Sequence, residues 1–308
     1  MSTPRVMLVL ILALVVASCA MAQDEPQQLT ERQAEVASVV ESLAKALMTG
    51  DMDALKQSIR MPLLAVLVSN TGPPQIADVT EDLLTEEGAM AAIARYGLAN
   101  QVRLVQPTVA LVAFNVAVFA SDIEWISEAG NVLVDDRMAA VLGRDAQGWR
   151  ISAIIAGDVA PLEPDEATRA EIAATIDGAV RAVGLRDQDA YMAAFSLPVM
   201  NVDPDSGARR LGHNELQAQF RELMYLILDA GISSVTMDTQ HIVMLGQNAA
   251  CAIGVANGLD AAGTPLGYRP QAALFVKQVD QWKIVAQAAG IPEEGAAPPG
   301  LLGLPTGE

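Results

Sequence analysis

Few side chains in this chain of 308 residues are of a type that performs chemistry unaided. Asp203, in Asp203-Pro204-Asp205-Ser206-Gly207, would act as a general base if a cavity desolvated it. The Pro, Asp, Ser and Gly of that run fit a solvated turn better. His213, in Gly212-His213-Asn214-Glu215, reads as the residue ahead of an Asn-capped helix, with acid–base catalysis as the alternative. His241 opens a strand beginning at Ile242 and reads as a polar strand-edge residue. Neither His sits in a local Ser/His/Asp or Cys/His pattern. Cys251, in Asn248-Ala249-Ala250-Cys251-Ala252-Ile253, has a buried-strand setting and reads as a small hydrophobe. Two Cys and two His are too few for a Cys/His zinc site or a disulfide framework, so neither metal nor cofactor is expected. The sequence has no G-x-x-x-x-G-K-[S/T], no strand-flanked G-x-G-x-x-G, no H-E-x-x-H and no G-x-S-x-G. Those absences disfavour nucleotide hydrolysis, dinucleotide redox chemistry, zincin proteolysis and α/β-hydrolase chemistry.

Composition narrows the field further. The chain is 52% apolar and 18% charged, enough to pack cores, and its length suits two domains. A formal charge of −18 repels a phosphate backbone, which excludes nucleic acid as a partner. Arg5 followed by the apolar run Val6–Ala17 is too short to span a bilayer and reads as a signal peptide over residues 1–22. Two cleavage rules compete: Ala20-Met21-Ala22 places the cut before Gln23, while Val16-Ala17-Ser18-Cys19 resembles a bacterial lipobox whose Cys19 would carry the lipid. The expected location is the periplasm or cell envelope, with the membrane touched only through such a lipid.

The elements that must position any site are written twice. Gly50-Asp51-Met52-Asp53-Ala54-Leu55 recurs as Arg186-Asp187-Gln188-Asp189-Ala190-Tyr191, an offset of 136, and Pro62 recurs as Pro198 at the same offset. The apolar face Val36, Val40, Leu43, Ala44, Leu47 recurs as Ile172, Ile176, Ala179, Val180, Val183. Trp149 and Gly157 recur as Trp282 and Gly290 at an offset of 133. Each copy predicts an amphipathic helix, capped by Thr30-Glu31-Arg32-Gln33 or Thr168-Arg169-Ala170-Glu171. Short helices follow over Asp53–Ile59 and Asp189–Phe195, stopped by the prolines. A third helix is clear in copy two from Asn214 to Gly231 and weaker in copy one over Ala89–Tyr96. Strands are expected over Val102–Val105, Val109–Ala120, Val132–Leu142 and Trp149–Ile155. Their counterparts are Ser234–Asp238, Ile242–Ala256, Tyr268–Val279 and Trp282–Ala288. The acidic pair Asp135-Asp136 reads as solvated surface. The expected class is α+β, with N-terminal helices packed on an antiparallel sheet. Domains are expected at 31–157 and 168–290, with a linker at 158–167 and a disordered tail at 291–308.

The order helix, Gly-Asp-x-Asp-Ala, short helix, Pro, helix, long strands and a Gly-Trp-[Arg/Lys]-Ile strand resembles the nuclear transport factor 2-like superfamily, which includes SnoaL-like cyclases and ketosteroid isomerases. The resemblance implies a curved sheet wrapped on a helix to make a cone with a pocket, and pairing of two cones through their sheets, here within one chain. It also implies that a catalytic acid or His would sit inside the cone after the short helix. In copy one that stretch is Met61-Pro62-Leu63-Leu64-Ala65-Val66-Leu67-Val68, without a titratable group. Copy two offers Asn201 and Asp203, Tyr191 where copy one has Leu55, and Tyr268 near the place of Asp135. A ligand pocket is therefore expected in copy two, lined by Tyr191, Met200, Asn201, Asp203 and Tyr268. The favoured role is non-enzymatic binding of a small apolar ligand or a protein partner. The alternative is a SnoaL-like or isomerase/dehydratase-like enzyme with a carboxylate base in copy two. Intact-mass analysis of the exported protein is expected to show Gln23 or a lipidated Cys19 at the N-terminus; a mature chain beginning at Met1 or Ser2 overturns export.

Overall fold

The apolar spacing at 36, 40, 43, 44 and 47 winds into helix α1, Glu31–Thr49, whose buried face contains Val36, Val40, Leu43 and Ala44. Its start is a reciprocal capping box. Gln33 N–H donates to Thr30 Oγ1 at 3.4 Å and Thr30 N–H donates to Gln33 Oε1 at 2.9 Å. Asp51 then caps α2, Met52–Ser58, by accepting from the Ala54 N–H at 3.0 Å. Six strands follow: β1 Ile59–Val68, β2 Gln75–Val79, β3 Ala99–Ala113, β4 Val116–Ser127, β5 Val132–Asp145 and β6 Gly148–Gly157. The second half repeats the plan with α3 Glu166–Leu185, α4 Gln188–Ala193, β7 Phe195–Asp203, β8 Gly207–Leu211, α5 His213–Asp229, β9 Ser234–Met244, β10 Ala249–Leu259, β11 Pro265–Gln278 and β12 Gln281–Ala289. This computed structural model describes residues 30–68, 74–80, 99–157, 165–203 and 207–290.

The two sheets have the same topology, β2-β1-β6-β5-β4-β3 and β8-β7-β12-β11-β10-β9. The molecule is thus α+β, two tandem domains of helices on a six-stranded sheet. Each sheet is mixed rather than wholly antiparallel, because β1 runs parallel to β6 and β7 parallel to β12. The intervening strands supply the long return connection that parallel neighbours need.

Several local expectations change. Pro62 and Pro198 lie inside β1 and β7; the short helices end earlier, at Ser58 and Ala193. The strands expected over Val109–Ala120 and Ile242–Ala256 each run through a hairpin. The breaks fall at Phe114-Asn115, and over Leu245–Asn248. Apolar residues on both sides of each turn hide the break. Helix α3 is capped by Asp165, which accepts from the Thr168 N–H at 2.6 Å, not by Thr168. Helix α5 begins at His213 behind Gly212, with no side-chain cap, so Asn214 is a first-turn residue. Asp136 is not surface: only 4% exposed, it accepts from Trp125 Nε1 at 3.0 Å. The leader with Cys19, the helix expected over Ala89–Tyr96, most of the linker and the tail lie outside the described residues.

Three apolar layers form. Val36, Val40, Leu55, Phe119 and Trp149 are among the residues filling the space between the first domain's helices and its sheet. Ile172, Tyr191, Phe220, Phe275 and Trp282 do the same in the second. Between them lies a seam from both sheets, including Leu64, Val118, Val141 and Ile155 from one and Met200, Cys251, Leu274 and Val285 from the other. Strand β4 shows the logic: Val116, Val118 and Ala120 enter the seam while Ala117 and Phe119 face the helix layer. A strand buried on both faces is apolar at successive positions instead of alternating. Arg137 pins the seam's edge, gripping Asp122 at 2.6 and 3.1 Å and donating to the Met244 carbonyl of the other domain at 3.3 Å. Arg210 and Asp78 form an ion pair between β8 and β2.

Matching polar pairs mark the repeat. Glu35 pairs with Arg144, whose guanidinium lies 5.8 Å from the Trp149 ring. Glu171 pairs with Lys277 at 3.0 Å, and that ammonium lies 5.8 Å from the Trp282 ring.

The repeated glycines test the close approaches. A Cβ on Gly157 would meet the Val68 carbonyl oxygen at 2.3 Å, and one on Gly290 would meet Ala113 Cβ at 2.5 Å across the domain junction. A Cβ on Gly143 would find only ordinary contacts, the nearest at 3.4 Å. Gly157→Ala and Gly290→Ala are each expected to cost about 1–3 kcal/mol in thermal unfolding, and Gly143→Ala no more than about 0.5 kcal/mol.

Candidate functional site

Comparison of the two copies locates a polar island in an apolar frame. At matched offsets Leu55 becomes Tyr191, Ala65 becomes Asn201 and Ile154 becomes Gln287. The fold brings these three exchanges together. Asn201 and Gln287 are register partners across the parallel pair β7–β12. Gln287 Nε2 donates to Asn201 Oδ1 at 2.9 Å and to Gln219 Oε1 of α5 at 3.4 Å. The Tyr191 hydroxyl also hydrogen-bonds the Gln287 side chain, and its ring meets Phe195 and Phe220 with centroids 4.9 and 5.0 Å away. Burial pushes the Tyr191 hydroxyl up to about 12, against the opposing pull of the Gln287 bond.

This cluster borders a cavity of about 580 Å³ in the second domain, enclosed by α3, α5 and the inner face of the sheet. That size is ordinary for a small-molecule pocket. Ile176, Val180, Val183, Leu223, Ile227 and Phe275 supply apolar wall. Arg209, Asp203 and Arg269 are further lining residues, and Arg269 Nη2 donates to Asp203 Oδ2 at 3.5 Å. Leu226 and Leu266 line the cavity while remaining exposed, so part of its mouth is apolar. Helix α5 commits only Leu216 and Phe220 to full burial and spends much of its remaining inner face as cavity wall.

Of the pocket residues expected from sequence, Tyr191, Asn201, Asp203 and Tyr268 line this cavity. Met200 does not. The alternation of β7 turns it to the opposite face, where it is fully buried in the seam between the sheets. His213 is exposed on the first turn of α5, its Nε2 lying 3.1 Å from Gln217 Nε2, and is not among the lining residues. His241 lies on edge strand β9; burial first, and the Arg169 charge second, hold its imidazole below its usual value. Cys251 sits in the seam, 1% exposed, and burial pushes its thiol up to about 12, which makes it inert at neutral pH. Gln287, Gln219 and Arg209 were missed. The signal for Gln287 was available: a lone amide among Val285, Ala286, Ala288 and Ala289, where the other copy has Ile154.

Among the described residues no group of three or more His, Cys, Asp or Glu is placed to hold a metal ion. No helix among them is long and apolar enough to cross a membrane. The arrangement suits a molecule with an apolar body and a polar end that meets the amide cluster.

No family model matches the chain, and no curated protein matches it in sequence. Among solved structures the chain is similar to nuclear transport factor 2-like proteins. One, of unknown function from Shewanella oneidensis, is 20% identical, with 40% of this chain and 98% of that one covered at a TM-score of 0.34. A ketosteroid isomerase-like protein from Erwinia carotovora is 18% identical over 39% of this chain and 93% of its own, with a TM-score of 0.32. A third, of unknown function from Pseudomonas putida, is 15% identical over 42% and 90%, with a TM-score of 0.35.

Proposed function

We propose that this is an exported binding protein whose second domain holds a small, largely apolar molecule, with the first domain as its packing partner. The observation that carries the reading is the cavity of about 580 Å³, walled by aliphatic and aromatic side chains and furnished with the Tyr191–Gln287–Asn201–Gln219 cluster. A few fixed polar groups in an apolar hollow orient a ligand whose affinity comes mainly from burial. An enzymatic reading with Asp203 as base ranks second. Asp203 does line the cavity, but it faces Arg269 in an ion pair, not the isolated desolvated setting that suits a general base at neutral pH. The neutral dye N-phenyl-1-naphthylamine is expected to bind the mature protein at one site with enhanced fluorescence. Leu223→Trp, which fills the cavity from α5, is expected to weaken that binding at least about tenfold, equivalent to 1.4 kcal/mol. Dye binding that the substitution leaves untouched, in a protein of unchanged circular dichroism, contradicts the reading.

A further inference from the structure

One stretch of the cavity's polar lining, Arg209, Asn201 and Gln219, has more hydrogen-bond donors to offer than acceptors. Asn201 faces Arg209 across the β7–β8 pair and Gln287 across the β7–β12 pair, so the three form a row on one face of the sheet. Gln287 spends both of its N–H bonds, one on Asn201 Oδ1 and one on Gln219 Oε1. Each of those amides thus has its oxygen engaged, which leaves its NH₂ as the group to offer. Asn201 is 4% exposed and lines the cavity, so its amide offers those N–H groups to a cavity occupant. Arg209 adds a guanidinium that makes no ion pair among the described residues. Two acids border the same hollow. Asp203 is engaged by Arg269 at 3.5 Å, and Glu222 lies near the next turn of α5 from Gln219, exposed to solvent.

We propose that the molecule held in the second domain carries a carboxylate, received by Arg209 together with the amide groups of Asn201 and Gln219; this rests on the cavity being a ligand site. A carboxylate is acceptor-only when ionised, carries one charge and matches the guanidinium fork. The apolar wall then takes an aliphatic or aromatic body, which makes the ligand class a monocarboxylic amphiphile. The chain's net charge of −18 repels such an anion at long range. At physiological ionic strength that field is screened over about 8 Å, so the Arg209 contact governs the bound state.

Decanoate and 1-decanol, two probes of equal chain length, separate the charge from the apolar body. Each is titrated against N-phenyl-1-naphthylamine bound to the mature protein at pH 8. Decanoate is expected to displace the dye at a concentration at least about tenfold lower than decanol. Arg209→Gln is expected to abolish that preference without changing decanol. The preference is also expected to fade as pH falls through roughly 4 to 5, where carboxylates take up a proton. Dye displaced equally well or better by decanol overturns the carboxylate assignment and leaves the cavity as a ligand site. An Arg209→Gln variant that keeps the preference overturns it as well. Failure of dye, decanol and decanoate alike overturns both this inference and the binding role on which it rests.

Discussion

The apolar seam between the two sheets is the constraint on which the rest of the molecule depends. A six-stranded sheet covered by helices on one face leaves its other face to water, and here both of those faces are mostly Val, Ala, Leu and Ile. Fully burying one such Val, Leu or Ile contributes about 1.5–3 kcal/mol. Leaving either face wet would forfeit that gain at every seam position. The small side chains matter too. Ala110, Ala139, Ala153, Ala249, Ala272 and Ala286 bring the two backbones close, and Gly290 can sit against Val112 only because it has no Cβ. Polar groups enter at the margin. Arg137 and the Arg210–Asp78 pair fix the alignment of two surfaces that apolar contact alone would let slide.

Because each sheet is braced from behind, its inner face is free to vary. In the first domain the positions matching Tyr191, Asn201 and Gln287 are Leu55, Ala65 and Ile154, all apolar. In the second they form a linked polar cluster beside an open hollow. Burying an unpartnered amide costs on the order of 1–3 kcal/mol, so such a cluster persists only when its members engage one another. Gln287 provides that link, holding the oxygens of Asn201 and Gln219 and the hydroxyl of Tyr191.

Features set by short-range rules were legible in the sequence. The 3.6-residue stripes of α1 and α3 and the Trp149 and Trp282 strands follow from local spacing. What escaped depends on partners distant in sequence. The parallel pairing of β1 with β6 cannot be read from either strand alone. The hairpin at Phe114-Asn115 lies in a run apolar on both sides of Asn115, because the end of β3 and the start of β4 pack on both faces, and that thins the polar punctuation a turn usually carries. A partial signal existed: Asn115 and Asn248 are matched copies whose carbonyls accept from the Arg144 and Lys277 N–H groups at 2.8 Å. Asp136 looked like surface because charge pairs usually are, and it is buried because Trp125 needs an acceptor. Tyr191 and Asn201 were legible from the contrast between copies. Met200 was misplaced because strand parity depends on where β7 begins.

Differential scanning calorimetry of the protein tests the seam most directly, since domains that share a core unfold together and domains that merely adjoin do not. The account predicts one transition whose calorimetric and van't Hoff enthalpies agree. Two separable transitions, each with roughly half of the enthalpy, would contradict it.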